Sequence, residues 1–313
     1  MISAVIPFFN EEKSLPILYE ELIRNLGQID KDYEIIFIDD GSKDRSLEVV
    51  KSFIKKDTRL RIFSFRRNFG KAEALTLGFA KAKGDFIVTL DADLQDMPSE
   101  IKILINKAKK GFDLVCGWRK DRKDSLIKVV FSKIFNALSG SLWGLKIHDY
   151  NCGLKVFSKE AAKSLRLYGG LHRFIPVLLH AQGFSVSEET VDHDPRKFGR
   201  SKYGFSKLWK DLPDIFTMLF LTHYGKRPLH FFSMVGIVLF LLGMFMLGYL
   251  SIIHFQGIAI GHRPLLFLGI MLVLSGFQVL FTGFLADLII STSYHTKGED
   301  AEQEKFLLKY TSD

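Results

Sequence analysis

Two long stretches without a charged residue, at 231–253 and 265–286, constrain the fold of this 313-residue chain more than any other feature. Each exceeds the roughly 20 residues that a helix needs to cross a hydrocarbon core of about 30 Å. The segment between them, 254–263, is short enough to join two helices in a hairpin. The sequence therefore predicts two transmembrane helices, at about 231–253 and 265–290, within a membrane region that covers 229–291.

The basic residues around this hairpin predict its orientation. Those that precede it are Lys202, Lys207, Lys210, Lys226 and Arg227. The link between the two stretches carries only Arg263. Because the flanks of membrane helices are richer in Lys and Arg on the cytoplasmic side, we expect residues 1–204 and a tail at 292–313 to lie in the cytoplasm. The chain is then a multi-pass protein of the cytoplasmic (inner) membrane.

Glycines recur every seven residues in both stretches. They are Gly236, Gly243, Gly269, Gly276 and Gly283. Such a stripe of small residues lets helices pack closely, which makes self-association into a homo-oligomer an expectation. Glycine is also simply more frequent in membrane helices than in soluble ones, and the sequence leaves both readings open.

The segment 205–228 has a different character. Its apolar residues recur at helical spacing with Lys207 and Lys210 between them, and Pro213 interrupts the pattern. This arrangement is typical of amphipathic helices that lie in the membrane interface. An amphipathic helix packed against a protein core is the alternative reading.

Residues 1–204 alternate between strand-like and helix-like patterns. Short apolar runs occupy 3–8, 34–38, 60–65, 85–90 and 113–117. Amphipathic helical patterns lie between them at 13–26, 44–56, 71–83 and 98–110. Strands that alternate with helices of this length predict an α/β domain with a mostly parallel sheet flanked by helices.

The net charge indicates the class of partner, and the cysteine content indicates the redox compartment. The formal net charge is +8, which favours a polyanionic partner such as nucleotide phosphates or anionic lipid. Nucleic acid is not favoured, because the basic residues concentrate near the membrane segments. Two cysteines, Cys116 and Cys152, can build neither a disulfide framework nor a four-ligand zinc site, and they suit a reducing compartment.

The residues Asp91-Ala92-Asp93 directly follow the fourth predicted strand. Ligands of open α/β sheets bind beyond the carboxyl ends of the strands, but no two glycines are separated by one residue, so a GxGxxG dinucleotide site is excluded. Alternate residues of an extended chain point the same way. Two adjacent carboxylates there predict a site for Mg²⁺ or Mn²⁺, which can neutralise a departing diphosphate.

Four segments, taken together and in order, resemble the signatures of family-2 nucleotide-sugar glycosyltransferases. They are VIPFFNE at 5–11, IDDGSKD at 38–44, NFGK at 68–71 and LDADLQ at 90–95. More narrowly, the chain is similar to polyprenyl-phosphate glycosyltransferases, the group of dolichyl-phosphate mannose synthases and bacterial undecaprenyl-phosphate glucosyltransferases. The resemblance covers residues 2 to about 205 and implies that residues 1–204 form a GT-A catalytic domain.

The resemblance also implies which residues hold the donor. The expected nucleotide-sugar-binding residues are Pro7, Phe9, Glu11, Ile38, Asp40, Asp91, Ala92, Asp93, Gln95, Arg196 and Lys202. Among them, Asp91, Asp93 and Gln95 match the metal site for Mg²⁺ or Mn²⁺. Arg196 and Lys202 belong to a basic loop that closes over phosphates in relatives, although such a loop also suits a membrane surface.

For the acceptor side, the resemblance implies a phosphate-binding set and a catalytic set. The expected acceptor-phosphate residues are Arg119, Lys128, Lys133 and Arg196, and the expected catalytic residues are Asp93, Arg119 and Asp149. Some relatives carry a second carboxylate where this chain has Cys152 and Gly153, so no general base is identified. A lipid monophosphate has a second pKa of about 6 and is already ionised at neutral pH.

A short segment at 171–182 has two readings. It resembles a part of relatives that lines the sugar pocket, so that His172 or Arg173 would contact donor or acceptor. An ordinary helix with an exposed basic turn fits the sequence equally.

The expected function is therefore metal-dependent, inverting transfer of one sugar from a UDP- or GDP-hexose to a polyprenyl phosphate, with undecaprenyl phosphate as the expected acceptor. A processive polysaccharide synthase is the first alternative, but the Gln-x-x-Arg-Trp motif and further spans of such enzymes are not in the sequence. A catalytically inactive scaffold protein for lipid-linked sugars is the second alternative. The retained Asp91 and Asp93 argue against it.

Overall fold

The computed structural model describes residues 1–120, 140, 143–194, 217–218, 220, 222, 224, 228–261, 263–293 and 308–311. The chain forms two compact units. The first unit comprises Met1–Asp214 together with Gln303–Asp313, and the second comprises Ile215–Glu302.

The first unit contains one mixed sheet whose strands, in the described residues, are β1 (Ile2–Phe8), β2 (Tyr33–Asp39), β3 (Leu60–Phe65), β4 (Phe86–Thr89), β5 (Leu114–Trp118), β6 (Lys155–Ser158), β7 (Val186–Thr190) and β8 (Leu308–Thr311). Its helices are α1 (Leu15–Ile29), α2 (Ser46–Ile54), α3 (Lys71–Lys81), α4 (Ile101–Ala108), α5 (Lys159–Ser164) and α6 (Ile175–Ala181). Short 3₁₀ turns precede α4 at Pro98–Glu100 and α6 at Leu171–Phe174.

The strand order across the sheet is β7-β5-β6-β4-β1-β2-β3-β8. The central pairs β4–β1, β1–β2 and β2–β3 are parallel, as is β5–β7, while β6 and β8 pair antiparallel with their neighbours. The prediction of a mostly parallel sheet flanked by helices is confirmed. The five predicted strands agree with β1 to β5 to within one residue at each end.

Helices cover both faces of the central strands. Every residue of β1 and β2 is buried, which explains why these strands are mostly apolar rather than alternating. Helix α1 buries one stripe against the sheet through Leu15, Leu18, Leu22 and Leu26. Helix α3 lies especially close to β1: a Cβ added at Gly78 would lie 2.2 Å from Val5 Cγ1. This close packing holds α3 against the middle of β1.

Three strands were not predicted from the sequence. Strand β6 is inserted antiparallel between β4 and β5, β7 pairs with the outer edge of β5, and β8 pairs with β3. Strand β8 lies within the segment 292–313 that was predicted to be only a cytoplasmic tail. Part of that segment therefore belongs to the sheet of the first unit.

The second unit contains two long helices, α7 (Pro228–Phe255) and α8 (Pro264–Ser293). Both are long and apolar enough to cross a membrane, with mean hydropathies of 2.4 and 2.2 over an 18-residue window. They agree with the predicted spans and extend each by a few residues. The predicted interfacial helices at 205–228 lie almost entirely outside the described residues.

The glycine stripe is the contact between α7 and α8. A Cβ added at Gly236 would lie 2.8 Å from the carbonyl oxygen of Gly276, and one added at Gly243 would lie 2.8 Å from that of Gly269. A Cβ at Gly283 would lie 2.6 Å from Phe232 Cβ. Of the two readings left open by the sequence, close helix packing is confirmed. Because the glycines face the other helix of the same chain, they give no support to the expected homo-oligomer.

Substituting a glycine of this contact is expected to destabilise the hairpin. A Leu side chain at Gly276 would collide with backbone atoms of α7, since the Cβ alone would lie 2.6 Å from the amide nitrogen of Phe240. We expect Gly276→Leu to lower stability by about 1–3 kcal/mol. Gly248→Leu is the matched control, because nothing lies within 4 Å of a Cβ at that position. Thermal melting in detergent should separate the two variants, and equal melting temperatures would contradict the packing argument.

Candidate active site

The carboxyl ends of β1, β2 and β4 meet around one cavity of about 190 Å³. Open α/β sheets bind ligands at this edge. The residues that line the cavity are Pro7, Phe8, Phe9, Glu11, Asp40, Lys71, Ala74, Asp91, Ala92 and Asp93. Seven of the donor residues implied by the family resemblance are therefore brought together. Ile38 and Gln95 are not among the lining residues, and the Ile38 side chain is fully buried in β2.

Two loops of the cavity wall are fastened to each other by residues more than 30 positions apart. The amide of Asn10 donates to Ser42 Oγ at 3.0 Å, and Asn10 Oδ1 accepts from the amide of Lys43 at 2.8 Å. Asn10 has a positive φ of 58°, a conformation that Asn tolerates better than most residues. The amide of Glu11 donates to Ser46 Oγ at 2.8 Å. The loops after β1 and β2 thus form one rigid wall.

Asp40 holds the loop that leads into α3. Its carboxylate accepts from the amides of Phe69 at 2.7 Å and Gly70 at 3.1 Å, and from Asn68 Nδ2 at 2.8 Å. Burial raises the pKa of Asp40 above its ordinary value, although these backbone donors oppose the shift. The carboxylate therefore orients the segment that places Lys71 in the cavity, in addition to facing the cavity itself.

The first aspartate of the predicted metal pair is bound to a lysine. Lys71 Nζ donates to Asp91 Oδ1 in an ion pair. Burial acts to raise the pKa of Asp91, but the Lys71 ammonium outweighs it and the pKa is lowered. Asp93 Oδ1 accepts from the amide of Gln95 at 3.2 Å. Asp91 therefore stays ionised, with a positive charge already beside it.

The residues present fit a divalent cation only if the substrate supplies ligands. Within the described part of the chain, no three His, Cys, Asp or Glu side chains are placed to hold a metal ion. Mg²⁺ is commonly bound by one or two carboxylates together with substrate phosphates. Asp91 and Asp93, with the amide oxygen of Gln95, are hard oxygen donors of the kind that Mg²⁺ and Mn²⁺ prefer.

Gly153 lies against the carboxylates below this cavity. A Cβ there would be 2.4 Å from Asp96 Oδ2 and 2.8 Å from Asp91 Oδ2. The carbonyl oxygen of Gly153 also accepts from Thr89 Oγ1 at 2.9 Å. The sequence shows Gly153 only as the site where some relatives carry a carboxylate. In the structure, no side chain fits here without displacing Asp91 or Asp96.

Gly153→Ala is expected to lower turnover by about 10²-fold, because shifts of about 1 Å at reacting groups have effects of this size. The added methyl group must push Asp91 or Asp96 out of place. Gly27→Ala, in helix α1 with nothing within 4 Å of its Cβ, is the control and should retain wild-type turnover. Steady-state rates of both purified variants test this, and a Gly153→Ala enzyme with the wild-type rate would contradict the packing argument.

The predicted catalytic residues Arg119 and Asp149 form a buried ion pair. Arg119 Nε donates to Asp149 Oδ2 at 2.7 Å, and an Nη donates to Oδ1 at 3.1 Å. The Asp149 side chain is 3% exposed. Although burial opposes it, the neighbouring negative groups, including the Asp149 carboxylate, raise the pKa of Arg119. With both oxygens engaged by a guanidinium, Asp149 is poorly suited to act as a general base.

His172 lies in the 3₁₀ turn before α6 and lines a second, smaller cavity of about 20 Å³. Lys71, Asp91 and Lys155 line the same cavity. Burial, together with Lys71 and Arg173, lowers the pKa of His172 to about 3. The imidazole is therefore neutral at physiological pH. The structure places His172 beside these cavity residues, and contact of His172 or Arg173 with donor or acceptor stays a prediction.

Several functional candidates could not be placed. Lys128, Lys133, Arg196 and Lys202 lie outside the described residues, as does the whole predicted basic loop at 196–203. Lys71 lines the cavity but was not predicted as a site residue. It belongs to the NFGK segment, and the position of that segment directly after β3 was the signal that could have identified it.

Solved structures share this fold. Glucosyl-3-phosphoglycerate synthase from Mycobacterium tuberculosis, in a crystal structure with Mn²⁺, UDP-glucose and phosphoglyceric acid, superposes with a TM-score of 0.53 and 18% identity, covering 71% of this chain and 79% of that one. The same enzyme with phosphoglyceric acid alone gives a TM-score of 0.52 and 19% identity over 71% and 79% of the two chains. The fold of the first unit is therefore that of a GT-A glycosyltransferase.

Sequence comparison identifies the family. Residues 3–166 match the model of glycosyl transferase family 2, and the chain belongs to this family. It is 37% identical over 299 residues to dodecaprenyl-phosphate galacturonate synthase of Rhizobium johnstonii, covering 94% of this chain and 88% of the relative. It is 33% identical to undecaprenyl-phosphate 4-deoxy-4-formamido-L-arabinose transferase of Photorhabdus laumondii, covering 92% and 88%. The protein is an enzyme of the glycosyltransferase class.

Proposed function

We propose that this enzyme transfers a single sugar from a nucleotide-sugar donor to a polyprenyl phosphate, with inversion at the anomeric carbon and with Mg²⁺ or Mn²⁺ as cofactor. The observation that carries the proposal is the cavity in which the loops after β1 and β2 meet Asp91, Ala92 and Asp93. The names of the relatives described above, which specify polyprenyl-phosphate acceptors, support the choice of acceptor. UDP-hexose and GDP-hexose are the donor classes proposed.

The wall formed by Pro7, Phe9, Glu11 and Asp40 suits the nucleoside half of the donor. Phe9 offers an apolar surface, and carboxylate oxygens accept hydrogen bonds from a base or a ribose hydroxyl. The diphosphate would then reach Asp91 and Asp93 at the end of β4. A divalent cation bound there supplies positive charge that stabilises the departing diphosphate. We assign Asp91, Asp93 and Gln95 to that cation.

On the acceptor side, a lipid monophosphate needs little help from a protein base, because its second pKa is about 6. The remaining tasks are orientation and charge compensation. We assign Arg119 to the acceptor phosphate, with Asp149 holding its guanidinium in place. Lys128, Lys133 and Arg196, outside the described residues, remain proposed for the same task. Attack by the phosphate oxygen on the anomeric carbon displaces the nucleoside diphosphate in one step.

The proposed location is the cytoplasmic membrane, with the first unit in the cytoplasm. Helices α7 and α8 are long and apolar enough to serve as two membrane spans. Strand β8 belongs to the same compact unit as Met1–Asp214, so the chain leaves this unit before the hairpin and returns to it afterwards. A hairpin that crosses the membrane twice would return the chain to the side from which it started. Before the hairpin, Lys226 and Arg227 agree with a cytoplasmic side.

The full-length protein in detergent provides the test. It would be incubated with undecaprenyl phosphate, Mn²⁺ or Mg²⁺ and a panel of radiolabelled UDP- and GDP-sugars, followed by mass spectrometry of the lipid. The expected product is a polyprenyl phosphate that carries one sugar residue. A product with many sugars would favour a processive synthase. Donor binding without any lipid product would favour the inactive scaffold.

A further inference from the structure

A buried junction links the aspartate loop after β4 to the chain that follows β7. Asp96 and His193 form an isolated antiparallel bridge, and the amide of Asp194 donates to the carbonyl oxygen of Gln95 at 3.0 Å. The Asp96 and His193 side chains are only 4% and 3% exposed. The two segments are nearly 100 positions apart in the chain. This junction lies directly beside the residues that we assign to the cation.

His193 faces a different polar group with each ring nitrogen. Nε2 lies 3.4 Å from Gln95 Nε2, and Nδ1 lies 3.7 Å from Asp96 Oδ1. Nδ1 is buried and has no hydrogen-bond partner within 3.5 Å among the described residues. A buried polar atom in this state costs free energy, so its retention calls for an explanation.

The chemistry of the neighbours assigns the proton of His193. An amide nitrogen is a donor only, so the nitrogen that faces Gln95 Nε2 must accept, and a neutral imidazole has one donor and one acceptor. The proton therefore resides on Nδ1, towards the Asp96 carboxylate. Because the two heteroatoms of an amide point apart, Gln95 Oε1 is directed away from His193. No described residue donates to Gln95 Oε1.

We propose that His193 is a positioning residue that fixes the Gln95 side-chain amide with its oxygen available to the divalent cation. The Asp96 carboxylate faces Nδ1 from 3.7 Å on the other side of the ring. The inference rests on the proposed function, because it assumes that Gln95 is a ligand of that cation. Partners outside the ligand set commonly orient metal ligands in this way, and their loss costs about 10–100-fold in metal affinity.

Two substitutions separate this role from simple packing. In His193→Gln, the longer side chain places an amide where Nε2 stood and can still accept from Gln95. In His193→Asn, the amide reaches only the position of Nδ1 near Asp96, so the contact with Gln95 is lost. Both variants replace the ring with an amide, so a merely structural role predicts similar effects from both.

The measurement is Mn²⁺ affinity of the full-length protein in detergent, by electron paramagnetic resonance, with UDP or GDP present. We expect His193→Asn to weaken Mn²⁺ binding by about tenfold or more, while His193→Gln stays near wild type. Affinity for the nucleoside diphosphate without metal should not change in either variant. In a Gln95→Leu background, His193→Asn should have no further effect on Mn²⁺ binding, because the ligand that it orients is already gone.

The outcomes that overturn the inference are distinct from those that overturn the proposed function. Wild-type protein that binds no Mn²⁺ with either nucleotide would remove the cation site, and the role of His193 with it. If wild-type protein and His193→Asn bind Mn²⁺ equally tightly, the cation site stands and only the proposed role of His193 is wrong. Equal weakening in the Asn and Gln variants, accompanied by equal losses in melting temperature, would show that His193 serves packing alone.

Discussion

Asp93→Asn should lower turnover by roughly 10³-fold, the size of effect seen when one group that stabilises a developing negative charge is removed. Asp93 lines the cavity at the carboxyl end of β4. Its carboxylate is one of the two that we assign to the cation beside the leaving diphosphate. The Asn side chain keeps the shape of Asp93 and can still accept the hydrogen bond from the backbone N–H of Gln95. The loss should therefore appear in turnover rather than in folding.

Asp91→Asn should be equally inactive but for a more complex reason. Asp91 carries the ion pair with Lys71, and both groups lie at the boundary of the two cavities. Neutralising the carboxylate leaves the Lys71 ammonium without its partner, and an unpaired, partly buried charge is costly. We therefore expect Asp91→Asn to lose stability as well as turnover. Asp93→Asn is the cleaner test of the cation.

The same strand provides a matched control. Asp85 precedes β4 at its amino end, where it is largely exposed and pairs with the N-terminal amine at 3.2 Å. Exposed pairs of this kind contribute little, so Asp85→Asn should behave as wild type. Rates would be measured with and without a chelator, and readdition of Mn²⁺ should restore the rates of wild type and Asp85→Asn but not that of Asp93→Asn. An Asp93→Asn enzyme with normal, chelator-sensitive turnover would contradict the assignment.

The residues that line the larger cavity were largely predictable because they stand next to regular elements. An apolar strand with a helix on either side has a strong local pattern, and the rule that ligands bind at carboxyl ends of strands then selects the loops. Asp40 and Asp91 were found in this way. The sequence could not show that Asp40 accepts hydrogen bonds from the amides of Phe69 and Gly70. That contact depends on where the loop between β3 and α3 lies in the folded chain.

The features that escaped prediction depend on distant pairing. Strand β6 is four residues long and begins with a buried lysine, Lys155, so its composition does not suggest the interior of a sheet. Strand β8 is equally short and is placed by its pairing with β3. His193 follows β7 with no local motif that marks it, and only the fold brings it to Asp96. Local patterns contain no information about such contacts.

The ion pair between Arg119 and Asp149 allows a second large effect to be tested. Removing one partner of a buried pair leaves an uncompensated charge and typically costs about 3–5 kcal/mol. Arg119→Gln and Asp149→Asn should each destabilise the enzyme by this amount, because the Asp149 side chain is 3% exposed and the Arg119 side chain 11%. The double variant should lose less than the sum, since neither charge is then left alone.

A pair of similar length whose cation is exposed is the control. Arg59 Nη2 lies 2.7 Å from Asp57 Oδ2, and the Arg59 side chain is 43% exposed while that of Asp57 is 9% exposed. Arg59→Gln should therefore cost at most about 1 kcal/mol. Thermal melting in detergent gives all these values on the same preparation. Additive losses in the Arg119 and Asp149 variants would contradict a coupled buried pair.

Turnover in the same variants distinguishes charge compensation from base catalysis by Asp149. If Asp149 acts by holding Arg119, Arg119→Lys should raise the KM for the polyprenyl phosphate, because an ammonium keeps the charge but cannot reproduce the two-pronged contact. Asp149→Asn should then raise the same KM and retain a measurable kcat. If Asp149 were instead the base, Asp149→Asn would abolish kcat at every acceptor concentration while Arg119→Lys left it intact. The double hydrogen bond from Arg119, at 2.7 and 3.1 Å, favours the first result, because a carboxylate with both oxygens bound to a guanidinium is a weak proton acceptor.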